Sequence, residues 1–173
     1  LLTVFVDLIS AVAVGVFLAN LLTIQALTDI QTRDIRAITH GENENWLTPE
    51  ERSLLRAAKG HVLMFHLSGP MSFGAAKSIS RRMAIIKDYD ILILDLTTVP
   101  RLGVTALLAI ETMIKDSLIK RREVFLVGAQ GQVARRLRRL EILQQLPQSH
   151  QVAERLTALE RSLELLRSYA PLL

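Results

Sequence analysis

Cysteine is absent from the 173-residue chain. That excludes disulfides, thiolate metal sites and a cysteine nucleophile. Aromatic residues are scarce, at 5% with one tryptophan, so there is little from which to build a base-stacking platform, and nucleic acid is not an expected partner. No nucleophile elbow, Walker loop, HExxH motif or complete Rossmann fingerprint occurs. No enzyme activity, metal or cofactor is therefore expected. The chain begins at Leu1 without a methionine, as expected of a piece of a longer protein. Half of the residues are hydrophobic, and the formal net charge is +4. A basic balance suits an anionic surface or simply a solvated basic face.

A long uncharged run stands out near the start. Leu8 to Leu27 reads LISAVAVGVFLANLLTIQAL, and about 20 apolar residues suffice to cross a bilayer as a helix. A signal peptide would show a basic start and a shorter core. Arg33 and Arg36 follow the run and would mark its cytoplasmic side. Asp7 and Asn20 are the polar exceptions. An ionisable residue inside a span is a functional candidate, although Asp7 lies near the start of the run, where it would sit at the interface.

Residues 29–60 read as a polar connector with a short strand at Ile35–Thr39 and a short helix. Thr48-Pro-Glu-Glu51 starts that helix, with Thr48 as cap, Pro49 at the first position and Glu51 completing a capping box. Beyond it strands and helices alternate. His61–Leu67 reads as a strand and Ala75–Ile86 as a helix. Ile91–Leu94 is apolar without alternation, which predicts a central strand covered on both faces. Asp95 ends the run, and Thr97, Thr98 and Pro100 are expected in a loop. Gly103 opens a helix whose inner face carries Leu107, Ile110, Ile114 and Leu118. Val124–Val127 is a further strand, Val133, Leu137 and Leu140 line a helix, Val152 falls in a short last strand, and Leu156, Leu159, Leu163 and Leu166 line the final helix. The pattern predicts an α/β fold, a mixed or parallel sheet with helices packed on it, over residues 61–173, preceded by one transmembrane helix within residues 1–28.

The candidates for chemistry are few. The N-terminus of the helix after Gly103 points free N–H groups over the end of the central strand, where open α/β sheets place ligands or switches. Gly103 and Thr105 are the candidate switch or anion contacts there. Gly128-Ala-Gln-Gly131 weakly resembles a phosphate cradle, but a tight turn accounts for it, so nucleotide binding has no support. His40, His61, His66 and His150 are scattered, with no partner at metal-ligand spacing, and are expected in the core or at the surface. Arg135, Arg136, Arg138 and Arg139 form either a solvated face or a contact with anionic lipid or another cytoplasmic segment.

The stretch "apolar strand, Asp95-Leu-Thr, loop, Gly103-Val-Thr-Ala106, apolar helix" resembles the STAS domain, shared by sulphate transporters and anti-sigma-factor antagonists. Ser68-Gly-Pro-Met-Ser-Phe-Gly74 is similar to a turn in the transporter members. Thr3 to Ala19, TVFVDLISAVAVGVFLA, resembles the last membrane helix of SulP anion transporters. The likeness covers nearly the whole chain and is strongest to the cyanobacterial bicarbonate carriers of that family. It implies the C-terminal end of a SulP transporter: a homodimer in the plasma membrane, its STAS domain cytoplasmic, contacting its own membrane domain, taking up bicarbonate with sodium. The antagonists carry Asp-Ser-Ser-Gly at the loop-to-helix junction and are phosphorylated there. Here Thr105 alone keeps a hydroxyl, and it is expected to cap or pack at the helix start. The alternative is a stand-alone phospho-switch of the antagonist type.

Overall fold

A computed structural model describes residues 8–20, 22–23, 35–40, 46–71 and 73–169. Within them β1 (Ile35–Ile38), β2 (Val62–Ser68), β3 (Ile91–Thr98), β4 (Glu123–Val127) and β5 (Gln151–Val152) form one sheet in that order. β1 runs antiparallel to β2, and the other neighbours are parallel. The sheet is therefore mixed. Six helices accompany it among the described residues: α1 (8–20), α2 (Pro49–Ala57), α3 (Phe73–Ile85), α4 (Val104–Ile119), α5 (Gly131–Arg139) and α6 (Arg155–Tyr169).

Covering on both faces explains the unbroken apolar strands. Leu92 and Leu94 point into one layer with Ile79 of α3, Ile110 and Ile114 of α4 and Leu137 of α5. Ile91 and Ile93 point into the other, with Leu55 of α2 and Leu159 and Leu163 of α6. Burying each such side chain stabilises the fold by about 1.5–3 kcal/mol. The expected inner face of α4 is present, with Leu107, Ile110 and Ile114 buried.

The ends of the elements follow local chemistry. Thr48 caps α2: the Glu51 amide donates to Thr48 Oγ1 at 3.1 Å, and the Thr48 amide donates to Glu51 Oε2 at 2.8 Å. Residues 35–38 and 49–57, expected within the connector, supply the sheet's edge strand and a helix of the second layer.

One expectation needs correction. Asp95 does not end its strand. β3 continues to Thr98, pairing with Ser68 after a register shift, because the buried carboxylate is fully hydrogen-bonded in place. Among the described residues no helix is long and apolar enough to cross a membrane. α1 is helical and exposed along its length, but residues 1–7, 21 and 24–28 of the expected span lie outside the described residues.

Gly128 shows why the turn after β4 carries glycine. Its φ is +67°, and an added Cβ would sit 2.7 Å from Thr97 Cα and 2.9 Å from Thr97 N. Gly131 has φ +54° but open space around it. Gly128→Ala is expected to destabilise the domain by about 2–4 kcal/mol, strain plus backbone overlap. Gly131→Ala meets only the strain, about 1 kcal/mol. Thermal unfolding of both variants checks this, and equal shifts would remove the role given to Thr97.

Candidate functional site

The crest above the carboxyl ends of β2 and β3 is laced by backbone bonds. The Gly69 amide donates to Thr98 O at 3.2 Å, Met71 to Arg101 O at 3.0 Å, and Gly103 to Met71 O at 2.7 Å. Arg136 of α5 donates to Leu102 O. Gly103 is the N-cap of α4 with extended backbone and no side-chain cap. Thr105 is exposed. It does not cap the helix as expected, because Gly103 holds that position two residues earlier.

The basic residues of α5 separate. Arg136 is half-buried and tied to the crest, whereas Arg135, Arg138 and Arg139 are exposed. Asn20 lies in α1 and donates to Val16 O at 2.9 Å, so its own helix satisfies it. Asp7 lies outside the described residues. His61 pairs with Asp90 at 2.6 Å near the surface, and His150 stacks on Phe125 with centroids 4.2 Å apart.

Sequence reasoning missed the main polar cluster. β2 and β3 run in register, so His66 stands directly beside Asp95, both on the face covered by α2 and α6. His66 Nδ1 donates to Asp95 Oδ2 at 2.7 Å. The Thr97 amide and hydroxyl donate to Asp95 Oδ1 at 2.9 and 2.6 Å. Arg155 Nη1 reaches Asp95 Oδ2 at 3.5 Å, and Arg155 Nε donates to Glu51 Oε1 at 2.8 Å. Trp46 stacks on His66 with ring centroids 4.5 Å apart and lies 5.3 Å from the Arg155 guanidinium. Asp95 is wholly buried and Glu51 nearly so.

Burial pushes the Asp95 carboxyl up. The hydrogen bonds from His66 and Thr97 outweigh it and hold the group below the usual carboxylate range. Arg155 is the first residue of α6, where a cation opposes the helix dipole. Its bonds to Glu51 and Asp95 offset that. The Trp46 ring closes over the imidazole. The cluster joins three segments far apart in sequence: Trp46–Glu51, the strand pair β2–β3, and the start of α6.

The family model for the STAS domain matches residues 55–155. The bicarbonate transporter BicA of Picosynechococcus sp. is 43% identical over 162 residues, covering 94% of this chain and 29% of that protein. The bicarbonate transporter BicA of Synechocystis sp. is 43% identical over 159 residues, covering 92% and 28%. The chain thus spans less than a third of the length of these relatives. Among solved structures, a sulfate transporter family protein from Wolinella succinogenes aligns with a TM-score of 0.57 at 19% identity, over 62% of this chain and 88% of that one. The SulP transporter STAS domain from Vibrio cholerae aligns with a TM-score of 0.51 at 27% identity, over 58% and 80%.

Proposed function

Because this chain belongs to the STAS-domain family, in the form carried by SulP-type transporters, we propose that it is the C-terminal end of an anion transporter, comprising the last membrane helix and a cytoplasmic regulatory domain. The observation that carries this reading is the join. An apolar helix exposed along its length precedes a STAS fold, and the likeness to bicarbonate transporters runs through 94% of the chain. Bicarbonate is the favoured anion and sodium the favoured coupling ion. Arg33 and Arg36, just after the uncharged run, support a domain on the cytoplasmic side of the plasma membrane.

In this reading the chain biases transport without forming the path. Anion sites in secondary transporters lie near the bilayer midplane between broken helices of two repeats. One helix and a domain outside the bilayer cannot build such a site. The domain can shift the balance among conformations through its tether, and it can hold two transporters together as a homodimer. Arg135, Arg138 and Arg139 offer a surface for lipid or for the transporter's membrane domain, while Arg136 braces the crest beside Gly103. Thr105 has no phospho-switch role here, since Gly103 and Val104 replace the Asp and Ser found at the antagonists' junction.

The test is radiolabelled bicarbonate and sulphate uptake by the full-length transporter, with cross-linking in the same cells. Removing residues 40–173 is expected to leave the membrane part inserted, lower uptake and loosen the dimer. Changing the four arginines to Gln should act more mildly and mostly at low salt. Full uptake and full dimer in the truncated protein would show the domain to be a passive appendage.

A further inference from the structure

The outer face of α4 is unusual for a surface helix. Val104, Leu108 and Ile119 are 67%, 48% and 80% exposed, and their spacing of four and eleven residues keeps them on one stripe. The opposite face is buried and apolar apart from Ser117. α4 is thus apolar on two sides with only one side covered. α3 lies beside it and ends in Ile85, 73% exposed. Among the described residues from Ile35 onward, four of the five exposed large apolar side chains belong to this helix pair, the fifth being Tyr169.

Cations frame the stripe. Lys77 and Arg81 stand one turn apart on the exposed side of α3, Lys120 follows the end of α4, and Lys115 lies within the stripe, paired to Glu111. Residues 73–88 and 104–120 together carry six Lys or Arg against three Asp or Glu. An apolar strip rimmed by basic side chains matches a bilayer surface with anionic headgroups, which takes the apolar groups below the headgroup level and attracts the cations above them.

From this arrangement, and resting on the proposed membrane anchorage of α1, we infer that the α3–α4 face is a lipid-docking surface for anionic headgroups. The tether favours it. Ile35, where the chain enters the sheet, packs in the same layer as α3 and α4. Eleven residues separate Thr23 of the helical segment from Ile35, a reach of at most about 40 Å, so the face is held close to the membrane and even weak binding becomes intramolecular. A second copy is the poorer occupant. A two-fold contact would bring together two faces that each carry six Lys or Arg against three Asp or Glu, an excess of like charge. The Ile119 end of the face is remote from the crest, whose lacing lies at the Val104 end of α4.

Because the chain has no cysteine, a single label reports the contact. The chain would be reconstituted in vesicles with Ile119→Cys carrying an environment-sensitive fluorophore, and separately with Glu164→Cys on the exposed side of α6. The bilayer would hold a nitroxide quencher lipid. In vesicles containing phosphatidylglycerol, the label at 119 is expected to be quenched several-fold more than the label at 164. Raising salt from about 0.1 M to about 1 M, which shortens the screening length from about 10 to about 3 Å, should remove most of that difference. Leu108→Asp in the 119-labelled chain should abolish it without changing the unfolding temperature, since Leu108 is exposed. Equal quenching at the two positions would overturn the inference. So would a 119 label shielded only by cross-linking to a second copy or to the rest of the transporter. Alkaline extraction of the same vesicles reports α1 independently. A chain that stays in the bilayer while position 119 remains unquenched defeats the docking face alone. A chain that washes out of phosphatidylcholine vesicles yet shows salt-sensitive quenching at 119 defeats the span and leaves docking standing.

Discussion

Asp95→Ala is expected to destabilise the domain by about 3–5 kcal/mol, the range for breaking a buried ion pair from one side. The substitution removes no large apolar group. What it leaves behind is the damage: His66 Nδ1, the Thr97 hydroxyl and the Arg155 guanidinium all lose the oxygen they point at. Arg155 would then keep only Glu51 while standing at the unfavourable end of the α6 dipole. Asp95→Asn keeps the shape and one acceptor oxygen, so it should cost less. Trp46 is the chain's one tryptophan and stacks on His66, so its fluorescence in a denaturant titration reports this cluster directly. An Asp95→Ala midpoint within error of the parent would show the cluster to be incidental.

The same residue sets a pH dependence. Hydrogen bonds hold the Asp95 carboxyl below its ordinary value of 3.8 in the folded domain. The folded state therefore binds fewer protons at this site than the unfolded state, and stability falls as pH drops from about 4 through the folded pKa. Above that window the contribution is complete and flat. Asp95→Asn cannot titrate and should lose this part of the acid slope, a difference visible in unfolding scans run downward from neutral pH.

What was legible in the chain was whatever depends on neighbours in sequence. Ile91–Leu94 announced a central strand because four apolar residues in a row leave no solvent face. Thr48 and Glu51 announced a helix start because a capping box closes within three residues. Leu107, Ile110 and Ile114 announced the inner face of α4 by spacing alone. The polar cluster was hidden because the contacts among His66, Asp95, Arg155 and Glu51 join residues 29 to 104 positions apart. One signal was present. His66 and Asp95 are each the fifth residue of an apolar strand that begins at Val62 or Ile91, and two adjacent parallel strands in register bring equal offsets together. Reading Asp95 as a strand end, from its charge, discarded that signal. Ile35–Ile38 could be seen as a strand, but nothing local reveals that it closes the edge of the sheet. Likewise a helix N-terminus after Gly103 was foreseeable, whereas the exposure of Thr105 depends on which residue takes the cap.

Deleting the apolar start of the chain is expected to have the largest effect on behaviour. In α1 and just after it, Leu8, Ile9, Val12, Val14, Val16, Phe17, Leu18 and Leu22 are all exposed. Covering a side chain of this kind is worth about 1.5–3 kcal/mol, so eight of them oppose contact with water by on the order of 10–20 kcal/mol. That rivals the whole stability of a typical domain, about 5–15 kcal/mol. The thirteen residues 8–20 make a helix of only about 20 Å, short of the roughly 30 Å hydrocarbon core. A helix over the full uncharged run 8–27 would reach about 30 Å. Asn20 need not oppose it, since its amide is already bonded to the Val16 carbonyl one turn back. Residues 1–173 should therefore aggregate without detergent and resist alkaline extraction from vesicles. Residues 30–173, which keep every strand of the sheet from Ile35 onward, should be monodisperse in buffer. Side-by-side size-exclusion chromatography decides the matter: equal, monodisperse elution of the two without detergent would mean that α1 finds cover within the protein and has no need of a bilayer.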